Sequence, residues 1–160
     1  MTAFEPTVFN LYLQNVIFVV FYNIQWGLIL SLIAIICLMK KDLFISGTNT
    51  DVGKTYCTLN LIHSLGQKGI KVGVMKPIET GVKSIPIDAS KIFEAAKIYN
   101  PALNSFHLED ICPISFHLAA APDIARNGIN IDFDLIAECH ENIANNSDVV
   151  LIEGAGGLLT

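Results

Sequence analysis

A nine-residue segment, GTNTDVGKT from Gly47 to Thr55, constrains this chain more than any other feature. It follows a short apolar run, Leu43, Phe44 and Ile45, that reads as a fully buried strand. It precedes Thr55 to Gln67, where Leu59, Ile62 and Leu65 fall at helical spacing until Gly66 and Gly69 supply stop signals. Between strand and helix, Gly47 and Gly53 let the backbone turn tightly so that its N–H groups face an anion. Lys54 is placed to reach β- and γ-phosphates, Thr55 to ligate Mg²⁺, and the helix dipole adds to both. The common pattern G-x-x-x-x-G-K-[ST] is missed by one position, because Thr48 stands five residues before Gly53. The strand-loop-helix context restores most of the specificity, and the segment predicts a cradle for the phosphates of a nucleoside triphosphate.

The elements that follow alternate. Ile70 to Met75 reads as a strand ended by Lys76-Pro77, which closes a βαβ unit. Lys76 to Pro86 reads as a long loop, and Ile87 to Tyr99 as a helix stopped at Asn100-Pro101, with Asp88 near its N-terminus. Pro101 to Pro113 shows no regular pattern, whereas Ala119 to Arg126 and Phe133 to Asn145 read as helices, the second capped by Asp132. Asp148 to Glu153 is a β-branched apolar run that delivers a carboxylate to the glycines at 154, 156 and 157. Such alternation predicts an α/β fold, a doubly wound parallel sheet with flanking helices of the type found in phosphate-loop NTPases. Ligands then bind at the carboxyl ends of the strands, where the glycine loop, Lys76 and Glu153 all fall.

The first 38 residues differ in kind. Every Lys and Arg lies at or after Lys40, and Glu5 is the sole charge before it. Val16 to Met39 is an uncharged run of bilayer-spanning length, so pattern alone predicts an apolar transmembrane helix with its C-terminal side cytoplasmic. The preferred alternative is a natural start at Met39, since only Lys40, Lys41 and Asp42 separate the apolar run from the first strand of the sheet. The division expected is therefore an extension over residues 1–38 and a nucleotide-binding domain over residues 39–160, cytoplasmic unless residues 16–39 insert in a membrane. Of the 15 acidic residues only Glu5 precedes that domain, and its 10 basic residues form no cluster, so nucleic acid is not an expected partner. Cys37, Cys57, Cys112 and Cys139 are too widely spaced for a zinc site or a disulfide framework and read as reduced thiols.

Glu153, at the end of its strand, is where a second acid for Mg²⁺ or its waters is expected. Lys76 reads equally well as a solvated surface lysine or as a contact to phosphate or substrate. His63, His107, His117 and His140 share no ligand spacing and receive no role.

GTNTDVGKT, KPIETG at Lys76 to Gly81 and VLIEGAGGL at Val150 to Leu158, taken in order, resemble the dethiobiotin synthetase family, and SFHLAAAPDIA at Ser115 to Ala125 resembles it more weakly. The resemblance covers Met39 to Thr160. It implies an ATP- and Mg²⁺-dependent cyclo-ligase that takes 7,8-diaminononanoate and CO₂ through a carbamate and a carbamic-phosphoric anhydride to dethiobiotin. Matched motif by motif, it implies that Asp51, Val52, Gly53, Lys54, Thr55 and Tyr56 bind ATP, together with Asp88, Glu153, Gly154, Ala155 and Gly156. It further implies Thr55, Asp88 and Glu153 as Mg²⁺ ligands, Lys76 and Lys54 as catalytic, and Thr80 and Thr50 as substrate contacts. Family members continue past the position of Thr160 and form homodimers, so this chain is expected to be an incomplete copy with weak or no turnover.

Two rivals use similar loops. The cobyrinic acid amidating synthetases carry a glutaminase domain that is missing here and lack KPIETG. Membrane-attached switches of the partition-ATPase type carry a second, early lysine in the loop where this chain has Asn49.

Overall fold

The computed structural model describes residues 16–21 and 42–157. Four parallel strands form the main sheet in the order β1-β2-β6-β3: β1 is Val16–Phe21, β2 Asp42–Gly47, β3 Val72–Met75 and β6 Val149–Glu153. β6 lies between β2 and β3, pairing Leu43 with Leu151 on one side and Val74 with Leu151 on the other. The strands are short and β-branched because both faces are covered; Leu43, Ile45, Val72, Val74 and Leu151 have essentially no exposed surface.

Helix α1, Lys54–Gly66, carries the chain from β2 past β6 to β3, and α5, Phe133–Ala144, leads back from beyond β3 to β6. The direction of travel across the sheet reverses between these connections, so right-handed crossovers put α1 and α5 on opposite faces. The α5 face is packed closely enough that a Cβ on Gly73 would lie 2.7 Å from Ile143 Cγ2. Helix α2, Ile87–Lys97, packs beside α1, and a Cβ on Gly66 would meet the Tyr99 ring. Asn100, fully buried past the end of α2, donates to the Asn146 carbonyl at 3.0 Å and so ties the segment after α2 to the approach to β6.

The sheet, α1, α2, α5 and the Asp132 cap agree with expectation, and Asp132 Oδ1 accepts the Leu135 N–H at 2.9 Å. Other segments differ. The expected loop from Lys76 to Pro86 contains strand β4, Ile78–Thr80, paired in parallel with β5, Ile114–Phe116. Three-residue strands are too short to show alternation, so neither is visible in the sequence. Pro101 to Pro113, expected to be irregular, holds a 3₁₀ turn over Pro101–Ser105 and the one-turn helix α3, Leu108–Ile111, closed by a reciprocal cap between His107 and Asp110. Of Ala119 to Arg126 only α4, Pro122–Ala125, is helical, starting where Pro122 fixes a first-turn backbone angle.

The apolar helix expected over Val16 to Met39 does not begin as one. Val16–Phe21 is a strand in continuous parallel register with Asp42–Gly47, consistent with the strong β-propensity of VIFVVF beside a strand edge in need of a partner. The remainder of that run and the Met39 start lie outside the described residues. Among the described residues no helix is long and apolar enough to cross a membrane.

Candidate nucleotide site

The carboxyl ends of β2, β3 and β6 bring three segments together. After β2 the chain turns through Asp51, with φ 55°, and Gly53, with φ 94°, into α1. A Cβ on Gly47 would stand 2.5 Å from Val52 Cγ2, so the loop closes on its own first glycine. No side chain caps α1, and its first N–H groups have no partner within the helix, which leaves this terminus open to an anion. The loop after β6 lies directly against it: a Cβ on Gly157 would fall 2.5 Å from the Asn49 backbone nitrogen. Glycine is needed at position 157 for this close approach and at 53 for its left-handed backbone.

Lys54 is buried and extends across the loop, where its Nζ donates to the Asn49 carbonyl at 2.7 Å. Burial, then the neighbouring charge of Lys76, push the Lys54 ammonium below the usual lysine range. Asn49 also makes a local turn, its Oδ1 accepting the Thr50 N–H at 2.8 Å.

Glu153 is the centre of the site and has no exposed surface. Its Oε1 accepts from Thr55 Oγ1 at 2.8 Å and from Lys76 Nζ at 2.6 Å, and its Oε2 accepts from Thr58 Oγ1 at 2.7 Å. β6 supplies the acid, β3 the lysine that follows it and α1 the two hydroxyls, one helical turn apart. A buried carboxylate is tolerable only with such partners. Lys76 Nζ also stands 3.6 Å from Asp88 Oδ2, in the first turn of α2. Burial alone would lower the Lys76 ammonium, but the charge and hydrogen bond of Glu153, then Asp88, more than offset it and hold it above the usual value. The surface-lysine reading of Lys76 is thereby replaced: the side chain is buried and clamped between two acids.

Thr55, Lys76, Asp88 and Glu153 thus converge by direct contact, and Lys54 joins them through charge. Val52 and Tyr56 are exposed at the rim, and Gly154 donates its N–H to Ile45 O at 2.9 Å, anchoring the Gly154–Gly156 turn to β2. Thr80 ends β4 half-buried, on the opposite face of that strand from Glu79, and Thr50 is exposed on the loop. Apart from the Lys76 ammonium, which cannot ligate a metal while protonated, the polar groups around Glu153 are oxygens, the carboxylates of Glu153 and Asp88 and the hydroxyls of Thr55 and Thr58, which suits a hard cation such as Mg²⁺. Among the described residues no group of three or more His, Cys, Asp or Glu is gathered that could hold a metal ion.

Two participants escape motif reading. Thr58 fixes the second oxygen of Glu153 and could have been suspected from its place one turn beyond Thr55 on the same face of α1. Glu79, in the middle of β4, is buried and accepts the N–H groups of Asp88 at 3.1 Å and Ala89 at 2.9 Å. Its neighbour Cys112 is an inert thiol, pushed up to about 12 by burial and next by the charge of Glu79.

The family model described as AAA domain matches residues 41–160. The chain belongs to that AAA domain family. Its curated relatives include the ATP-dependent dethiobiotin synthetase BioD of Sulfurovum sp. (strain NBC37-1), 43% identical over 119 residues, which are 74% of this chain and 57% of the relative. The same-named protein of Wolinella succinogenes is 40% identical over 122 residues, 74% and 56% of the two chains, and that of Aquifex aeolicus 36% identical over 118 residues, 72% and 50%. The chain spans about half the length of the curated relatives it matches. Within this AAA domain the matched region holds the glycine loop, Lys76, Asp88 and Glu153, whereas β1 lies before it.

Proposed function

We propose that this AAA domain carries the phosphate half of a dethiobiotin synthetase site, acting with ATP and Mg²⁺ on 7,8-diaminononanoate and CO₂ in biotin formation. The observation that carries the reading is Lys76, held between Glu153 and Asp88 beside an uncapped helix N-terminus and the phosphate loop. Similarity to proteins named ATP-dependent dethiobiotin synthetase supports the same assignment.

One amine of the diamine adds to the carbon of CO₂ and loses a proton, giving a carbamate. A carbamate oxygen attacks the γ-phosphorus of ATP and expels ADP, and the second amine then attacks the carbonyl carbon and expels phosphate, closing the ureido ring. This sequence needs orientation and stabilisation of anionic oxygens more than covalent participation. Lys54, whose Nζ crosses the loop to the Asn49 carbonyl, would pair with the β- and γ-phosphates, and Lys76, cationic through neutral pH, would stabilise the charge developing on carbamate and phosphoryl oxygens. Asp51 to Tyr56 and Glu153 to Gly156 line the nucleotide, and Thr80 and Thr50 contact the diamine side. Thr55, Asp88 and Glu153 would hold Mg²⁺, which supplies Lewis-acid neutralisation of the phosphates when bound. We further propose a homodimeric protein acting in the cytoplasm, with residues 39–160 forming the nucleotide-binding domain and residues 1–38 an extension to it.

The test is ADP formation with [¹⁸O]bicarbonate, using the chain extended to the length of its curated relatives. The proposal expects it to require both diamine and bicarbonate, with one ¹⁸O passing from carbamate into the released phosphate. ATP consumption indifferent to the diamine would instead favour an amidating synthetase or an ATPase switch.

A further inference from the structure

Helix α2 starts without a cap of its own. Its N-cap position is Pro86, which has no side-chain acceptor, and the first intrahelical bond is Ser90 N–H to Pro86 O at 3.0 Å. The N–H groups that a capping serine or aspartate would take are those of the second and third helical residues, Asp88 and Ala89. Both are taken by Glu79 from another element, Oε1 by the Asp88 N–H at 3.1 Å and Oε2 by the Ala89 N–H at 2.9 Å. Strand alternation turns Glu79 inward between half-buried Ile78 and Thr80. Pairing with β5, in which Glu79 stands opposite Ser115, and the Lys76 N–H to Ile111 O bond at 2.9 Å fix β4 in place. A carboxylate 7% exposed with both oxygens on a helix terminus is a strong, directional attachment. Its target is the turn that holds Asp88 at 3.6 Å from Lys76.

We infer that Glu79 is a positioning residue, which caps α2 from outside the helix and thereby sets Asp88 against Lys76 and Glu153. Resting on the reading of Asp88 as part of the Mg·ATP site, the inference assigns the glutamate of KPIETG a role through the N–H groups of Asp88 and Ala89. Deletion of the carboxylate frees the first turn of α2 and withdraws Asp88 without touching the phosphate loop.

The test uses Glu79→Gln, which preserves volume, and Glu79→Ala, each confirmed folded by its thermal transition. The expected result is faster hydrogen exchange at the Asp88 and Ala89 amides. The Mg²⁺ concentration that half-saturates ATP binding should rise about tenfold, the fold-change of one lost charge-assisted hydrogen bond. ATP binding without Mg²⁺ should not change. Asp88→Asn should weaken the Mg²⁺ dependence similarly, and adding Glu79→Gln to it should do little more, a non-additivity that general loosening of the fold does not produce. Unchanged exchange at both amides, or an unchanged Mg²⁺ dependence in the Glu79 variants when Asp88→Asn does move it, overturns the inference alone. If Asp88→Asn leaves the Mg²⁺ dependence untouched, the assignment of Asp88 to the site fails, and the positioning role with it.

Discussion

Lys76 and Glu153 form a buried ion pair, and Thr55 and Thr58 also donate to the Glu153 carboxylate, so each charge depends on the other. Removing one member of such a pair costs about 3–5 kcal/mol, because the remaining charge is left in the interior. Lys76→Met is therefore expected to lower the thermal transition markedly; a variant as stable as the parent chain would contradict this description of the pair. The two lysines also separate by pH. Lys76 sits above the ordinary lysine value of about 10.4, so its contribution to stability is complete below that pH and is lost as pH rises through the raised value. Lys54 lies below its ordinary value, so its protonation opposes folding at lower pH, and it loses its proton first as pH rises. ATP affinity should thus decline on the alkaline side before the Lys76 contribution to the melting temperature does. Parallel decline of affinity and stability, followed by titration calorimetry and melting curves, would deny the ordering. The convergence of Lys54, Thr55 and Glu153 was legible in the sequence, the first two from the loop pattern and Glu153 from its place at the end of an apolar strand. Thr58 was suggested only by its place one turn beyond Thr55, and Glu79 not at all, because a glutamate in a three-residue strand gains meaning from helix N–H groups outside any capping pattern.

The elements that position the site were read from hydrophobic period, and they succeed where that period runs long enough: β2, α1, β3, α2, α5 and β6 all appear where the sequence puts them. Period fails for β4, β5 and the one-turn helices, whose three or four residues carry too little pattern and whose hydrogen bonds are tertiary. Packing at element junctions is close. Gly73→Ala would drive a methyl to within 2.5 Å of Ser147 Oγ and 2.7 Å of Ile143 Cγ2, and overpacking of this kind costs about 1–3 kcal/mol. Asp132→Ala should cost about 1 kcal/mol through the lost cap on α5. Denaturant titration compares the two; the account expects the larger loss at Gly73, and an equal or smaller loss there would mean that α5 yields readily.

At the scale of the molecule, the sheet sets the site and β1 borders it. β6 and β3 flank the site on one side of β2, while β1 lies on the other. Removing residues 1–38 should therefore preserve nucleotide binding, yet leave the edge of β2 without its β1 partner and promote self-association. Light scattering and ATP titration on the shortened chain read the two effects separately; loss of binding by a folded, monodisperse product would make the extension part of the site. The sequence could not show β1 as a strand, because an uncharged run of that length satisfies a membrane helix equally well until a pairing partner is known. The central claim, that the glycine loop and the Glu153 cluster form one Mg·ATP site, is tested most directly by calorimetric titration of the chain with ATP, with and without Mg²⁺, beside Lys54→Ala and Glu153→Gln. The account predicts binding strengthened by Mg²⁺, binding lost in Lys54→Ala and Mg²⁺ enhancement lost in Glu153→Gln. Equal Mg·ATP affinity in all three proteins would contradict it.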